Sequence, residues 1–151
     1  MTPNNVAANN KQALRVLLID ENPVFLRAAT AFLQRQSGFV TLRTAARMEA
    51  ALVGARDFCP AVIVIDPYNS NLQGLGVIPR IRTVLPQVGI VVLALIDSAT
   101  YRDASLAIGA DCFVSKSNMA ADLLPAIHRA VRGGGDPSPA AVAQMVRAMA
   151  A

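Results

Sequence analysis

The chain has 151 residues, 54% of them hydrophobic and 16% charged, and a formal net charge of +4. This length suits one domain with a substantial core and excludes two full-sized domains. The 14 Lys and Arg residues are scattered singly, which does not favour a nucleic-acid patch, and the longest apolar stretch, Val88 to Ile96, is too short to span a bilayer. No signal peptide is visible, so we expect a cytoplasmic protein.

Apolar runs alternate with segments of helical periodicity along most of the chain. Residues 1–12 are polar and rich in Asn, and we expect them to form a disordered tail. The apolar runs predict five buried strands, at residues 13–19, 39–43, 61–65, 89–95 and 111–115. The segments between and after them predict helices over residues 23–36, 44–56, 77–85, 99–108 and 118–132.

Several of these helices carry recognisable end signals. Asn22 and Ser98 are suitable N-caps, as is Ser117 or Asn118 for the last helix, and Gly109 is a suitable C-cap residue. Two prolines constrain the helices further. Pro79 has to lie in the first turn of its helix, and Pro125 requires the last helix either to begin late or to kink.

Strands that alternate with helices form parallel sheets with right-handed crossovers. The five units therefore predict a flavodoxin-like, doubly wound α/β domain over residues 13–133, with strand order 2-1-3-4-5. A glycine-rich break at residues 133–135 ends it, and residues 134–151 are expected to form a linker or a C-terminal helical extension.

Charged residues follow three of the predicted strands. Asp20 and Glu21 follow the first, Asp66 the third and Lys116 the fifth. Since strands one and three are neighbours in this strand order, the carboxylates should converge at one sheet edge, where Mg²⁺ is the natural counterion. With Lys116 across the site, the arrangement suits attack by a carboxylate on phosphorus. Taken singly, Asp66 would more often be a helix cap or a solvated loop carboxylate, and Lys116 an exposed surface lysine.

These residues, together with Gly74, the Gly109-Ala110-Asp111 corner and Phe113, resemble the receiver domains of bacterial response regulators. The resemblance covers Leu14 to Gly133. It implies that Asp66 accepts a phosphoryl group from a sensor histidine kinase or a phosphotransfer protein. It also implies that Asp20, Glu21, Asp66 and the backbone carbonyl of Tyr68 hold Mg²⁺, and that Lys116 contacts the phosphoryl group. Such a domain is a signalling module with at most self-catalysed phosphoryl transfer, and not an enzyme.

The residue after Lys116 narrows the resemblance. Ser117 stands where many receivers have proline, which is similar to the branch with LuxR-type helix-turn-helix output domains. The tail is similar to the linker that precedes such an output domain, which is itself absent from the sequence. The resemblance therefore implies a possible homodimer, and contact with DNA only through the missing output domain.

Two features depart from the family. Ala94 stands where receivers carry Thr or Ser, and the loop Pro67-Tyr68-Asn69-Ser70-Asn71 replaces the usual pattern after the acceptor. The alternative function is therefore a phosphorylation-independent pseudo-receiver that acts as an interaction or dimerisation module. A flavodoxin-like enzyme or nucleotide binder is disfavoured, because no glycine-rich phosphate loop follows the first strand. We expect Phe113 to be a core residue and His128 to be exposed.

Overall fold

Two strands of this protein, at residues 62–65 and 89–94, are apolar throughout, and they lie at the centre of a three-layered fold. A computed structural model describes residues 14–36, 40–47, 58–67 and 72–131. These residues form a five-stranded parallel sheet of order β2-β1-β3-β4-β5, whose strands are β1 (Leu14–Ile19), β2 (Val40–Ala45), β3 (Val62–Ile65), β4 (Gly89–Ala94) and β5 (Cys112–Ser115). The helices are α1 (Pro23–Gln36), α2 (Val77–Val84), α3 (Ala99–Ala107) and α4 (Met119–Ala130).

Alternation along the strands divides the core into two clusters. On one face of the sheet, Ile63 and Ile90 pack with Ile78 and Ile81 of α2, and α3 adds half-buried residues. On the other face, strand residues pack with α1 and α4, including Leu33, Leu123 and Ile127 of those helices. Because both faces of β3 and β4 are covered by helices, these two strands lack the polar alternation of a half-exposed sheet, whereas β2 at the edge includes the exposed residues Arg43 and Thr44. The predicted doubly wound fold and its strand order are confirmed. In the described part of the chain, no helix has both the length and the apolar character needed to cross a membrane.

Several predicted helix ends are confirmed. The backbone N–H groups of Val24 and Phe25 donate to the Asn22 side-chain oxygen at 3.0 and 3.2 Å, and Tyr101 N–H donates to Ser98 Oγ at 3.1 Å. Gly109 follows α3 with a φ of 120°, a left-handed conformation that glycine adopts without a steric penalty. Pro79 lies in the first turn of α2, where its missing N–H would have had no helical partner in any case.

The structure corrects the start of the second predicted helix. Residues 44 and 45 belong to β2, because Thr44 and Ala45 continue the parallel pairing with β1 and the Ala45 carbonyl accepts a hydrogen bond from Asp20 N–H at 3.0 Å. The rest of that predicted helix lies mostly outside the described residues, as do the predicted tail at 1–12 and the segment at 134–151.

The last helix begins at Met119, close to the predicted position, and includes Pro125 in its interior. Of the two alternatives for Pro125, the late start therefore does not occur. Asn118 occupies the N-cap position but makes no side-chain capping hydrogen bond, and the Ser117 hydroxyl pairs with the Ser115 hydroxyl at 2.8 Å. Pro125 is exposed, where water can hydrogen-bond the carbonyl that its ring leaves without a helical donor.

A largely buried ion pair joins α2 to the amino ends of β4 and β5. Arg82 Nη2 lies 2.9 Å from Asp111 Oδ2, and the same guanidinium donates to the carbonyls of Gly109 and Val88 at 2.8 and 2.6 Å. Asp111 Oδ2 also accepts the Ile90 N–H at 2.8 Å. This network fixes where the two strands begin relative to each other.

We expect Asp111→Ala to lower the free energy of unfolding by about 3 kcal/mol, because it leaves the Arg82 guanidinium without its carboxylate in a largely buried place. Urea denaturation followed by circular dichroism measures the change. Asp103→Ala, which removes an exposed carboxylate of α3, is the matched control and should change stability by less than about 0.5 kcal/mol. Equal effects of the two substitutions would contradict the structural role of the Arg82–Asp111 pair.

Candidate functional site

Three strand ends bring the predicted site residues together at the carboxyl edge of the sheet. Asp20 directly follows β1, Asp66 directly follows β3 and Lys116 directly follows β5. Ile19 and Ile65 are paired in the parallel register, so the carboxylates that follow them are neighbours. The Asp66 N–H extends this pairing by donating to the Ile19 carbonyl at 3.0 Å. The backbone of the sheet therefore sets the spacing of the two aspartates.

Lys116 bridges the two aspartates. Its Nζ lies 2.5 Å from Asp20 Oδ2 and 2.7 Å from Asp66 Oδ2. The three side chains are only 11%, 4% and 7% exposed, respectively. Removal of such charges from water is costly unless they are paired, so the single ammonium stabilises both carboxylates.

The surroundings of Lys116 favour its charged form. Burial lowers the pKa of Lys116, but the contacts with Asp20 and Asp66 raise it by more, so its pKa is raised overall from 10.5. The site therefore holds a permanent positive charge at neutral pH.

Asp20 also organises the start of α1. Its Oδ1 accepts the Asn22 N–H at 2.8 Å, and Asn22 in turn caps the helix. Its Oδ2 is buried and meets Lys116 as an ion pair, without the alignment of a hydrogen bond. This oxygen therefore keeps acceptor capacity for a cation that enters the site.

The site opens into a cavity of about 260 Å³. Its lining combines charged residues with two exposed apolar residues of the loop after β4, and consists of Asp20, Glu21, Asn22, Asp66, Leu95, Ile96 and Lys116. Glu21 is exposed at this cavity, whereas the two aspartates lie deeper. The cavity therefore has an anionic floor around one ammonium and a partly apolar rim.

The carboxylates fit Mg²⁺ as a hydrated ion. Within the described ranges, no group of three or more His, Cys, Asp or Glu side chains forms a ready metal cage. Mg²⁺ is usually held by one or two carboxylates together with waters and phosphate oxygens, so Asp20 and Asp66 suffice as protein ligands. Glu21 and the Tyr68 carbonyl stay predictions as further ligands, and Tyr68 lies outside the described residues.

Phe113 lies on β5 beside the site and is held by two residues of α3. The Tyr101 ring meets it edge-on at 5.7 Å between centroids, and the Arg102 guanidinium lies 5.3 Å from its centroid. Phe113 is half-buried against the core, which agrees with its predicted packing role. Burial, and then the negative charge of Asp66, raise the pKa of Tyr101 to about 12.

Sequence reasoning missed an aromatic residue that contacts Lys116. The Phe25 ring lies under the Lys116 ammonium, 4.1 Å from Nζ to the ring centroid. Its only sequence signal is its place in the first turn of α1, three residues after Asn22. His128, by contrast, is exposed as predicted and lies on α4.

Comparisons with known proteins agree on one family. The sequence model of one protein family, the response regulator receiver domain, matches residues 16–128. The transcriptional regulatory protein MctR of Rhizobium johnstonii is 32% identical over 122 residues, which cover 81% of this chain and 56% of MctR. The response regulator VraR of Staphylococcus aureus is 25% identical, with 80% of this chain and 57% of VraR covered. The chain therefore spans a little over half the length of these curated relatives.

Solved structures show the same fold. A response regulator from Burkholderia pseudomallei, with a phosphorylated aspartic acid, a calcium ion and citrate, has a TM-score of 0.63 and 26% identity, and the match covers 75% of this chain and 65% of that protein. The isolated receiver domain of RcsB from Salmonella enterica serovar Typhimurium has a TM-score of 0.67 over 89% of this chain and 99% of its own. At 20% identity, this similarity supports the fold and nothing beyond it.

We expect Lys116→Met to lower the free energy of unfolding by about 2 kcal/mol at neutral pH. The loss lies below that of a fully buried pair, because the cavity is open to solvent. Arg129→Met, which removes an exposed cation of α4, is the control and should be nearly neutral. Urea denaturation measures both, and a Lys116→Met protein as stable as Arg129→Met would show that the bridge does not contribute to stability.

The contribution of Lys116 to stability should depend on pH. Because the folded state raises the pKa of Lys116, it binds that proton more tightly than the unfolded state does. The stabilisation that Lys116 provides is therefore complete below pH 10.5, the ordinary pKa of lysine, and is lost as the pH rises through the higher pKa of the folded state. We expect the difference in unfolding free energy between wild type and Lys116→Met to be constant near neutral pH and to shrink above about pH 10.5. A difference that stays constant into this alkaline range would contradict the raised pKa.

Proposed function

The chain belongs to the receiver domains of response regulators, close to the LuxR-type branch, and from this premise we propose that it accepts a phosphoryl group on Asp66. The observation that carries the proposal is the contact of 2.7 Å between Asp66 Oδ2 and Lys116 Nζ at an open cavity. The contact supports the proposal because the Asp66 carboxylate, the proposed nucleophile, has beside it a cation that can neutralise the charge of an incoming phosphoryl group.

The proposed reaction transfers a phosphoryl group from a histidine to an aspartate. A carboxylate oxygen of Asp66 forms the new P–O bond while the P–N bond of the donor phosphohistidine breaks, and the electron pair of that bond stays on the departing imidazole nitrogen. Lys116 then pairs with a phosphoryl oxygen, because its ammonium already lies beside Asp66. The donor is a sensor histidine kinase or a phosphotransfer protein.

Mg²⁺ is the proposed cofactor. Asp20 and Asp66 would hold it, with Glu21 and the Tyr68 carbonyl as the further ligands that the resemblance implies. When bound, it supplies positive charge that neutralises the phosphoryl oxygens. Asp20 keeps its Oδ2 directed at this region because its Oδ1 is fixed by the Asn22 N–H.

The domain itself is a signalling module of the cytoplasm in this proposal, and its output is a change of protein–protein contacts. MctR is named as a transcriptional regulatory protein, and this chain covers only part of its length. Any effect on DNA would therefore require an output domain outside the matched region, and dimerisation of the receiver is the contact that phosphorylation would control.

We expect wild-type protein incubated with Mg²⁺ and a small acyl phosphate to gain the mass of one phosphoryl group. Asp66→Ala should gain none, because the nucleophile is absent. Asp103→Ala removes an exposed carboxylate away from the cavity and should behave as wild type. Intact-protein mass spectrometry measures all three.

An adduct that persists in Asp66→Ala would move the acceptor to another residue. Absence of an adduct in wild type, together with no binding of beryllofluoride, would replace the proposal by the phosphorylation-independent interaction module.

Ala94 limits how strongly this signal reaches Phe113. It is buried at the end of β4 and aligned with Ser115, but its methyl group cannot donate a hydrogen bond to a phosphoryl oxygen. A hydrogen bond to a charged partner contributes about 1.5–3 kcal/mol. The missing hydrogen bond leaves phosphorylation with less free energy to move Phe113, and the contacts of Phe113 with Tyr101 and Arg102 oppose that movement.

We expect Ala94→Thr to enlarge the response of Phe113 to beryllofluoride. The measurement is the change in the ¹⁹F NMR signal of Phe113 in protein labelled with fluorophenylalanine, with and without the mimic. Ala104→Ser, on the adjacent helix, is the control for an added hydroxyl elsewhere. A response of Ala94→Thr equal to that of wild type would show that residue 94 does not limit the coupling.

A further inference from the structure

The Lys116 ammonium has a third neighbour besides its two carboxylates. The centroid of the Phe25 ring lies 4.1 Å from Nζ, which is within the range of a cation–π contact. An ammonium attracts the negative face of an aromatic ring, and the attraction is stronger where water is excluded. Lys116 is 11% exposed, so this contact acts in a largely dry place.

Phe25 is held in place independently of Lys116. Its N–H donates to the Asn22 side-chain oxygen at 3.2 Å, and Asn22 N–H donates to Asp20 Oδ1 at 2.8 Å. Its ring is half-buried and packs against the core cluster beneath α1. The contacts therefore form a closed circuit, from Asp20 through Asn22, Phe25 and Lys116 and back to Asp20.

We infer that Phe25 is a positioning residue that helps to keep the Lys116 ammonium at the cavity while its partner Asp66 is modified. The inference rests on the proposed phosphoryl transfer to Asp66. When Asp66 becomes an acyl phosphate, the oxygen that Lys116 contacts changes its charge and surroundings. The flexible lysine side chain would then lose one of its two carboxylate contacts, but the Phe25 ring is untouched by the chemistry and, with Asp20, keeps the ammonium in place.

The chain offers a sharp test, because it contains only two lysines, Lys11 and Lys116. In protein labelled with [¹³Cε]lysine, the ring current of Phe25 should move the Lys116 signal upfield of the Lys11 signal. Phe25→Leu should abolish this shift, and Phe25→Tyr, which keeps the aromatic face, should retain it. Phe32→Leu is the matched control, since Phe32 is another half-buried phenylalanine of α1 that packs on the same core cluster.

The second readout is the rate of phosphorylation by a small acyl phosphate at fixed pH and Mg²⁺. We expect Phe25→Leu to be about 3- to 10-fold slower than Phe32→Leu, and Phe25→Tyr to match wild type, given the usual strength of a cation–π contact. Unfolding midpoints of the variants show that both leucine proteins are folded at the assay temperature.

The outcomes separate the inference from the proposed function. If wild type is phosphorylated and Phe25→Leu is as fast as Phe32→Leu, or keeps the shifted lysine signal, the positioning role is wrong and the proposed function stands. If wild type gains no phosphoryl group, the proposed function fails, and with it the role in transfer, whatever the lysine signal shows.

Discussion

The interaction on which the site depends is the bridge from one ammonium to two buried carboxylates. Asp20 and Asp66 contribute two negative charges and Lys116 one positive charge, so the centre keeps a net charge of −1, to which exposed Glu21 adds at the cavity. That balance has two consequences. It reduces the cost of the buried charges in the folded protein, and it leaves one negative charge in excess, which would favour the proposed Mg²⁺.

The bridge in turn depends on strand positions that are set at the opposite edge of the sheet. β5 has only four residues, with Asp111 just before it and Lys116 just after it. Arg82 holds Asp111 against the start of β4, so a shift of that pair would move Lys116 relative to Asp66 through a very short strand. Stability at one edge and geometry at the other are therefore linked by the backbone.

The sequence predicts the strands and the charged strand ends well, because buried parallel strands read as apolar runs and their ends lie at one edge. It does not predict that β2 extends to Ala45, since that depends on pairing with β1. Nor does it predict the Phe25–Lys116 contact, which joins the first turn of α1 to the end of β5. Local periodicity carries no information about which ring covers which ammonium across the sheet.

The contacts around the site are unequal on its two sides, and this bears on how a charge change can spread. Towards α1 they are direct and electrostatic, since Lys116 touches the Phe25 ring and Asp20 is hydrogen-bonded to the capping residue Asn22. Towards α3 the strand that separates Asp66 from Phe113 ends in the methyl group of Ala94. A ligand shifts a conformational equilibrium only by its differential interaction with the two states. If Asp66 accepts a phosphoryl group as proposed, that group would therefore act more directly on α1 than on Phe113, unless residue 94 gains a hydrogen-bond donor.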